Sequence, residues 1–307
     1  MHVETPNRWR EWTAAWIGAM RLRTLPLAAA CTITGACLAR WEGTFDSLVF
    51  VLTLLTTLLL QITSNLANDY GDFSHGVDND SRVGPKRTLQ SGLISPKEMR
   101  LAIICFGVLS FALGCALLYV ARVSLLAKLV LLLLGLGAIY ASVRYTTGSK
   151  PYGYRAMGDL AVFMFFGLVG VFGSYYLQTG RVQPDIFLPA AAVGFMSVAV
   201  LNINNIRDMQ ADSNAGKLTL AVLLGGKGSR IYHTLILSLS IAAMLIYSVQ
   251  NFSTALNWLW VLVLPLMVVN ALLVWLRQPA KLDPLLKQMA LTTFLFSVLL
   301  CLGLNAL

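Results

Sequence analysis

Nine long apolar stretches recur along this sequence, and each has about the 20 residues that a helix needs to cross a lipid bilayer. They cover about residues 13–39, 47–68, 100–120, 124–143, 159–178, 186–205, 231–250, 255–276 and 287–306. Of the 307 residues, 57% are hydrophobic and 12% are charged, whereas soluble domains carry about 25% charged residues. A water-soluble protein could not bury so much apolar surface or cover itself with so few charges. The sequence therefore predicts an all-α, polytopic membrane protein with a single membrane-embedded domain over residues 1–307.

Three prolines lie inside the predicted spans, at Pro26, Pro189 and Pro265. Proline lacks the backbone N–H and clashes with the preceding turn, so each of these positions predicts a kink in its helix. Such kinks are tolerated in a membrane when neighbouring helices satisfy the freed backbone groups.

The lysines and arginines predict how the chain is oriented in the membrane. Of the 23 lysines and arginines, 19 fall in the N-terminal segment and in the loops after predicted spans two, four, six and eight. The others are Arg40, Arg122, Lys128 and Arg181. Because cytoplasmic loops carry the excess of basic residues, this distribution predicts a cytoplasmic N-terminus and a C-terminus outside. It also explains the net charge of +9 by an anionic membrane face, without nucleic acid as a partner.

Two short acidic motifs stand at corresponding positions of the second and sixth predicted spans. Residues 68–72 read NDYGD and residues 204–208 read NNIRD, so both fit the pattern N-[DN]-x-x-D with an offset of 136 residues. Both lie at the predicted cytoplasmic end of an even-numbered span, so the two helices run parallel. This repeat indicates an ancient duplication, with halves over about residues 13–143 and 159–276 and the ninth span appended.

The polar side chains of each motif are spaced three and four residues apart, which places them in one stripe along a helix. The stripe on the second span is formed by Asn65, Asn68, Asp69 and Asp72, and that on the sixth by Asn204 or Asn205, Asp208 and Asp212. Carboxylates this close at a low-dielectric boundary repel one another, so a cation must offset their charge. Because Mg²⁺ prefers carboxylates together with substrate phosphates, the paired stripes predict about two or three Mg²⁺ ions around a diphosphate. The alternative is two solvated helix ends with ordinary capping residues.

Basic and aromatic side chains accompany the motifs in the sequence. The basic candidates for binding a diphosphate are Arg82, Lys150, Arg155 and Lys217. Together with a metal ion, these charges would stabilise a departing diphosphate, although the general excess of basic residues in cytoplasmic loops also explains each of them. Tyr145 and its neighbours belong either to an interfacial aromatic belt or to an aromatic surface that stabilises a developing carbocation.

The paired motifs resemble those of the UbiA superfamily of intramembrane aromatic prenyltransferases, and the likeness extends over essentially the whole chain. Those proteins carry the motifs N-[DQ]-x-x-D-x-x-x-D and D-x-x-x-D on their second and sixth helices. Asn68, Asp69 and Asp72 match the first motif, and Asp208 with Asp212 match the second. The resemblance implies nine transmembrane helices around a central cavity.

Within this superfamily, the sequence most resembles the MenA branch, which prenylates 1,4-dihydroxy-2-naphthoate in menaquinone biosynthesis. The segments that carry this likeness are RLRTLP at 21–26, SNLANDYGD at 64–72, KPYGY at 150–154, LNINNIRD at 201–208 and GKLTL at 216–220. One departure concerns the third aspartate of the first motif, because Gly76 stands four residues after Asp72 and Asp78 follows two residues later. The branch resembles this longer spacing, so the role of third metal ligand is carried over to Asp78.

The resemblance implies an enzyme of a bacterial plasma membrane that transfers a polyprenyl group from polyprenyl diphosphate to 1,4-dihydroxy-2-naphthoate, with loss of CO₂. It implies Mg²⁺ as the cofactor and a groove, open sideways to lipid, for the prenyl chain. The implied metal ligands are Asn68, Asp69, Asp72, Asp78, Asp208 and Asp212. The implied diphosphate-binding residues are Asn68, Asn204, Arg155, Lys217 and Arg82, and the implied catalytic residues are Asp72, Asp208, Asp212, Lys150 and Tyr145.

Three other functions stay open at this point. A related prenyltransferase could accept 4-hydroxybenzoate or homogentisate in place of the naphthoate. A cation or metabolite transporter is a second class, although transporter sites usually lie at the middle of the bilayer on broken helices, whereas these acids crowd one face. A CDP-alcohol phosphotransferase also depends on Mg²⁺ and aspartates, but its D-G-x-x-A-R signature is absent from the sequence.

Overall fold

The computed structural model describes residues 8–77 and 88–305, and within these ranges the chain folds into helices joined by loops. Nine helical segments of the described residues are long and apolar enough to cross a membrane. In chain order, spans 1 to 9 run over Trp9–Trp41, Ser47–Ser74, Pro96–Val120, Leu125–Arg144, Gly158–Thr179, Pro184–Asn214, Leu220–Asn251, Ala255–Leu276 and Asp283–Asn305. The predicted all-α fold with nine spans is therefore confirmed.

Span 1 consists of two α-helices separated by a sharp turn. The helix Arg8–Met20 ends at Arg21, whose backbone is left-handed with φ of 50°. The short 3₁₀ helix Leu22–Thr24 follows, and the α-helix Leu25–Trp41 then crosses the bundle. Pro26 lies in the first turn of that helix, where its missing N–H would have had no helical acceptor. The turn is therefore made by Arg21, before the proline.

Span 8 has a similar construction. It begins as the 3₁₀ helix Ala255–Val263 and continues as the α-helix Leu264–Leu276, with Pro265 in the first turn. Pro189 also lies in a first turn, that of the α-helix Phe187–Asn214 in span 6. The three prolines therefore lie where α-helices begin and do not interrupt them, because the first turn accommodates proline without losing a hydrogen bond.

Spans 5 and 7 depart from regular α-helix where the sequence predicts unbroken spans. The middle of span 5, Phe163–Phe172, is a π-helix, a wide-turn form that is common at functional sites. Span 5 approaches span 6 so closely that a Cβ atom on Gly167 would lie 2.7 Å from the carbonyl oxygen of Ala190. Span 7 starts well before the predicted residue 231, and its early helix is broken at Gly225, which has φ of 68°.

Span 6 is the central helix of the bundle. In its most apolar window 72% of the residues are buried, whereas the corresponding value for span 4 is 0%. The main hydrophobic core joins span 1 with spans 5 to 9, and its large buried side chains include Tyr175, Met196, Tyr247, Trp260 and Phe296. Span 4 packs against spans 2 and 3 at the edge of the bundle.

A cavity of about 830 Å³ lies within the bundle and is lined mainly by residues of spans 1 to 6, with Leu286 of span 9. Leucine, valine, alanine and phenylalanine side chains form most of its wall along spans 3, 4 and 5. Its polar end lies where spans 2 and 6 finish. Two loops are joined there by backbone hydrogen bonds, from Ala156 to Leu218 at 2.7 Å and from Leu218 to Tyr154 at 3.2 Å. The expected central cavity is therefore present, and one of its ends is chemically distinct.

Candidate active site at the acidic end of the cavity

The C-terminal ends of spans 2 and 6 carry the two acidic motifs to the same end of the cavity. Asp72 of span 2 lines the cavity together with Asp208 and Asp212 of span 6. Their exposed fractions are only 4%, 6% and 3%, respectively. The structure therefore brings the ends of the two predicted stripes together in a site that is shielded from water.

Lys217 lies between the two motifs. Its ammonium nitrogen is 3.4 Å from a carboxylate oxygen of Asp72 and 3.6 Å from one of Asp212. The Tyr154 hydroxyl donates a hydrogen bond to Asp72 at 2.7 Å, and the Lys217 ammonium lies 5.2 Å from the centre of the Tyr154 ring. Because opposite charges attract strongly in a site of low dielectric, Lys217 offsets part of the repulsion between the carboxylates.

A second cation, Arg207, lies directly beside Asp208. Its Nε and Nη2 donate to the two oxygens of Asp208 at 2.8 and 2.6 Å, and Nη2 also donates to Asn204 Oδ1 at 2.8 Å. Its Nη1 contacts the carboxylate of Asp283 at the start of span 9. Asp283 also accepts hydrogen bonds from Arg23 at 3.1 Å. The second motif is thereby linked to spans 9 and 1.

The stripe on span 2 is divided between two surroundings. Asn68 and Asp72 line the cavity, whereas Asp69 does not. Asp69 is 1% exposed and forms an ion pair with Arg21, the residue that turns the chain within span 1. Asn65 donates a hydrogen bond at 2.9 Å to the carbonyl of Met20, the residue before Arg21. Asn65 and Asp69 of span 2 therefore hold the turn in span 1, whereas Asn68 and Asp72 face the cavity.

Two tyrosines line the cavity next to the acidic cluster. The rings of Tyr145 and Tyr152 meet edge to face, with their centres 5.2 Å apart. Tyr145 is closely seated, because a Cβ atom on Gly153 would lie 2.9 Å from its Cζ and one on Gly158 would lie 2.6 Å from its hydroxyl. Burial raises the pKa of Tyr145 above its ordinary value and raises the pKa of Tyr152 to about 12. Both phenols are therefore neutral at physiological pH.

The donor set at this end suits a hard divalent cation. The cavity presents carboxylate oxygens from Asp72, Asp208 and Asp212 and the amide of Asn68, and Mg²⁺ prefers such oxygen ligands. The position of the Lys217 ammonium, within 3.6 Å of a carboxylate from each motif, shows that the gap between the motifs accommodates a cation. In the described part of the chain, no three His, Cys, Asp or Glu side chains converge on one point. A bound Mg²⁺ would therefore take further ligands from water or substrate phosphate, as is usual for this ion.

Comparison with known proteins establishes the family. The sequence pattern of the UbiA prenyltransferase family matches residues 28–306. This chain belongs to the UbiA prenyltransferase family. The 1,4-dihydroxy-2-naphthoate octaprenyltransferases of Haemophilus influenzae and Escherichia coli K12 are 44% and 42% identical to it over 292 residues, covering 94% and 95% of this chain and 95% of each relative. The resemblance to the UbiA superfamily and its MenA branch is therefore confirmed.

Two solved structures share the fold of this UbiA family member. The apo structure of a UbiA homologue from Aeropyrum pernix K1 has a TM-score of 0.71 at 18% identity and covers 91% of this chain and 97% of its own. A UbiA homologue from Archaeoglobus fulgidus, bound to GPP and Mg²⁺, has a TM-score of 0.65 at 18% identity. The match covers 94% of this chain and 100% of that homologue. The bundle of spans around a cavity is therefore the UbiA fold.

Four of the predicted site residues are not placed at this cluster. Lys150 and Arg155 lie exposed in the loop between spans 4 and 5, and neither lines the cavity. Asp78 and Arg82 lie outside the described residues. The roles proposed for these four residues stay predictions.

Other residues at the site were not expected from the motifs. Asp283 is the clearest of them, because it contacts both Arg207 and Arg23 although it lies 75 residues beyond Asp208. One signal in the sequence does point to it. Asp283 is the only acidic residue after Asp212, and it stands at the start of an apolar span, where an acid is costly unless it has a partner.

Proposed function

We propose that this protein transfers a polyprenyl group from polyprenyl diphosphate to 1,4-dihydroxy-2-naphthoate, with loss of CO₂, in menaquinone biosynthesis. The observation that carries this proposal is a cavity that is apolar along most of its wall and acidic at one end, where Asp72 and Asp212 contact Lys217. An apolar prenyl chain suits the first part and a metal-bound diphosphate suits the second. The identities of 44% and 42% with named octaprenyltransferases support the choice of acceptor.

The acidic end would hold the diphosphate of the substrate. The proposed metal ligands are Asn68, Asp69, Asp72, Asp78, Asp208 and Asp212, and Mg²⁺ bound there supplies positive charge that stabilises the leaving diphosphate. Asp72, Asp208 and Asp212 already face the cavity. Asp69 is paired with Arg21, so it joins the set only where that ion pair opens.

Lys217 would bind the diphosphate directly. In this structure its ammonium is held by Asp72 and Asp212. If these carboxylates held a metal ion, their hold on the ammonium would weaken, and the flexible stem of Lys217 would let Nζ reach diphosphate oxygens. Asn204, Arg82, Lys150 and Arg155 are proposed as further contacts of the diphosphate.

The transfer step requires that the carbon–oxygen bond to the diphosphate break, with the bonding electrons leaving on oxygen. The resulting allylic cation would form in the cavity that Tyr145 and Tyr152 line, and the π electrons of aromatic rings attract a cation. Because these phenols are neutral, they are poor nucleophiles and do not trap it. The ring carbon that bears the carboxylate then forms the new carbon–carbon bond, and CO₂ departs, leaving its bonding electrons to the ring.

A direct assay tests this function. Purified protein in lipid nanodiscs is incubated with all-trans-octaprenyl diphosphate, 1,4-dihydroxy-2-naphthoate and MgCl₂, and the prenylated product is measured by mass spectrometry. We expect turnover that falls by about 100-fold or more in Asp72→Asn and Asp208→Asn, because each removes a group that binds the leaving diphosphate through metal. Glu11→Gln, at an exposed acid on the first helix, serves as the control.

Two results would contradict parts of the proposal. Unchanged turnover in both aspartate variants would refute the assignment of the acidic end as the diphosphate site. Product formed with 4-hydroxybenzoate or homogentisate, and none with the naphthoate, would reassign the acceptor while keeping the reaction class.

A further inference from the structure

A buried arginine connects the second acidic motif to span 9. The Arg207 side chain is 1% exposed, and its Nε and Nη2 donate to both carboxylate oxygens of Asp208, at 2.8 and 2.6 Å. Its Nη1 contacts the carboxylate of Asp283. Asp208 lines the cavity, whereas Arg207 and Asp283 do not. Arg207 therefore lies between a proposed metal ligand and a carboxylate outside the cavity wall.

Asp283 is itself held by a second arginine. The Nη1 atom of Arg23 lies 3.1 Å from each oxygen of Asp283. Acidic and basic groups thus alternate through Asp208, Arg207, Asp283 and Arg23, across spans 6, 9 and 1. Each charge in this series has an opposite charge beside it, so one contact can open while the others hold.

In this arrangement Arg207 competes with a metal ion for Asp208. Both oxygens of Asp208 accept hydrogen bonds from the guanidinium, and such two-point contacts between charged groups are strong. A metal ion on Asp208 would draw on the same negative charge and repel the guanidinium, so metal binding would weaken these hydrogen bonds. A buried guanidinium left without a counter-ion is strongly destabilising. A second carboxylate in contact with Arg207 reduces that penalty, because Arg207 keeps a partner while Asp208 turns to the metal.

We propose that Asp283 is a positioning residue for the metal-diphosphate site. It retains Arg207 when Asp208 binds the metal, and so lowers the metal concentration at which the site fills. This inference rests on the proposed function, because it takes Asp208 as a metal ligand. It gives a role to a residue that belongs to neither acidic motif.

The test compares three variants of the full-length protein. Asp283→Asn keeps the size of the side chain and removes the charge that faces Arg207, whereas Asp283→Glu keeps the charge. Arg23→Gln is the matched control, because it removes the other contact of Asp283 and leaves the contact with Arg207. Each protein is titrated with Mn²⁺ in the presence of inorganic diphosphate, with free Mn²⁺ followed by electron paramagnetic resonance. The melting temperature is recorded separately.

We expect Asp283→Asn to raise the half-saturating Mn²⁺ concentration about tenfold, since the metal must then compete with an arginine that no longer has the carboxylate charge of Asp283 beside it. Asp283→Glu and Arg23→Gln should stay within about twofold of the wild type. Equal Mn²⁺ binding by Asp283→Asn and the wild type would overturn the inference, even if the melting temperature falls, because Asp283 would then only join spans 1, 6 and 9. A wild-type protein that binds no Mn²⁺ with diphosphate would instead refute the proposed function.

A second comparison applies if Asp283→Asn alone does not fold. Arg207→Gln and the double variant Arg207→Gln/Asp283→Asn both lack the buried arginine, so neither contains a guanidinium at position 207 for Asp283 to retain. Because Asp283 acts through Arg207 in this proposal, removing Asp283 should have no further effect once Arg207 is gone, and the two variants should bind Mn²⁺ equally. In a double-mutant cycle this result means that the effect of Asp283 depends entirely on Arg207. Weaker binding by the double variant would overturn the inference.

Discussion

Lys217 contacts one carboxylate from each acidic motif, Asp72 at 3.4 Å and Asp212 at 3.6 Å. Its ammonium therefore occupies a position between the motifs that a divalent cation would also favour. Tyr154 supports this arrangement from the adjoining loop, because its hydroxyl donates to Asp72 at 2.7 Å and its ring lies beside the ammonium. The same lysine can thus stabilise the two carboxylates and, in the proposed reaction, the departing diphosphate.

Replacing Lys217 should separate these two roles. We expect Lys217→Gln to lower turnover about 100-fold, because a positioned charge on the leaving group is lost. Lys217→Arg, which keeps the charge, should retain part of the activity. The check is steady-state turnover at saturating Mg²⁺, together with the melting temperature without Mg²⁺, which Lys217→Gln should lower. Wild-type turnover in Lys217→Gln would show that the lysine does not act on the diphosphate.

Tyr152 should make the stability of the protein depend on pH in the alkaline range. Burial raises the pKa of its phenol from the ordinary value of 10 to about 12. The folded protein therefore keeps a proton that the unfolded chain loses, so this stabilisation is complete below pH 10 and is lost as the pH rises towards 12. Melting temperatures measured across this range should fall less steeply for Tyr152→Phe than for the wild type. Tyr119→Phe, at a residue that is 87% exposed, should keep the wild-type slope.

The spacing of polar residues was sufficient to find Asp72, Asp208 and Asp212, because residues three and four apart share a helix face whatever the helix packs against. It could not separate Asp69 from its neighbours, since the partner of Asp69 is Arg21 on another span. The contact between Arg207 and Asp283 joins residues 76 positions apart, and only the packing of span 9 against span 6 brings them together. The repeated motif therefore predicted that the two stripes meet, whereas ion pairs with residues outside the motifs could not be predicted from spacing.

Among the elements, the number of spans was predictable and their positions in the bundle were not. Spans 4 and 6 have the same mean hydropathy of 2.1, yet the buried shares of their apolar windows are 0% and 72%. Lipid and protein interior are equally apolar surroundings, so hydropathy does not tell a peripheral helix from a central one. The turn at Arg21 likewise involves a neighbouring helix, because Arg21 forms an ion pair with Asp69 of span 2.

The contact between spans 1 and 5 depends on Gly35. A Cβ atom at this position would lie 2.2 Å from the carbonyl oxygen of Val171 and 2.7 Å from Cβ of Ser174. Gly35→Ala should therefore push the two spans apart and lower the free energy of unfolding by about 1–3 kcal/mol, the usual effect of overpacking. Thermal unfolding in nanodiscs measures this. Gly137→Ala in span 4 is the matched control, because its Cβ would meet nothing within 4 Å and should leave stability unchanged or slightly higher.

At the scale of the whole molecule, the fold places all the chemistry at one end of the bundle. The ends of spans 2 and 6 and the start of span 9 meet there, since Arg207 contacts Asp283. The N-terminal segment and the loops after spans 2, 4, 6 and 8, which belong to this end of the bundle, also carry 19 of the 23 lysines and arginines. By the positive-inside rule, we propose that the acidic end faces the cytoplasm of a bacterial cell, where water-soluble diphosphate can leave the site.

This orientation gives a prediction for the loops at the two ends of the bundle. Arg181 follows span 5 and Lys281 precedes span 9, and both side chains are exposed. In a variant whose five native cysteines are replaced, Arg181→Cys should react with a membrane-impermeant maleimide in intact spheroplasts. Lys281→Cys should react only after the membrane is permeabilised, because its loop belongs to the basic, cytoplasmic side. The reverse labelling pattern would place the acidic end outside the cell and would contradict a site that draws its soluble acceptor from the cytoplasm.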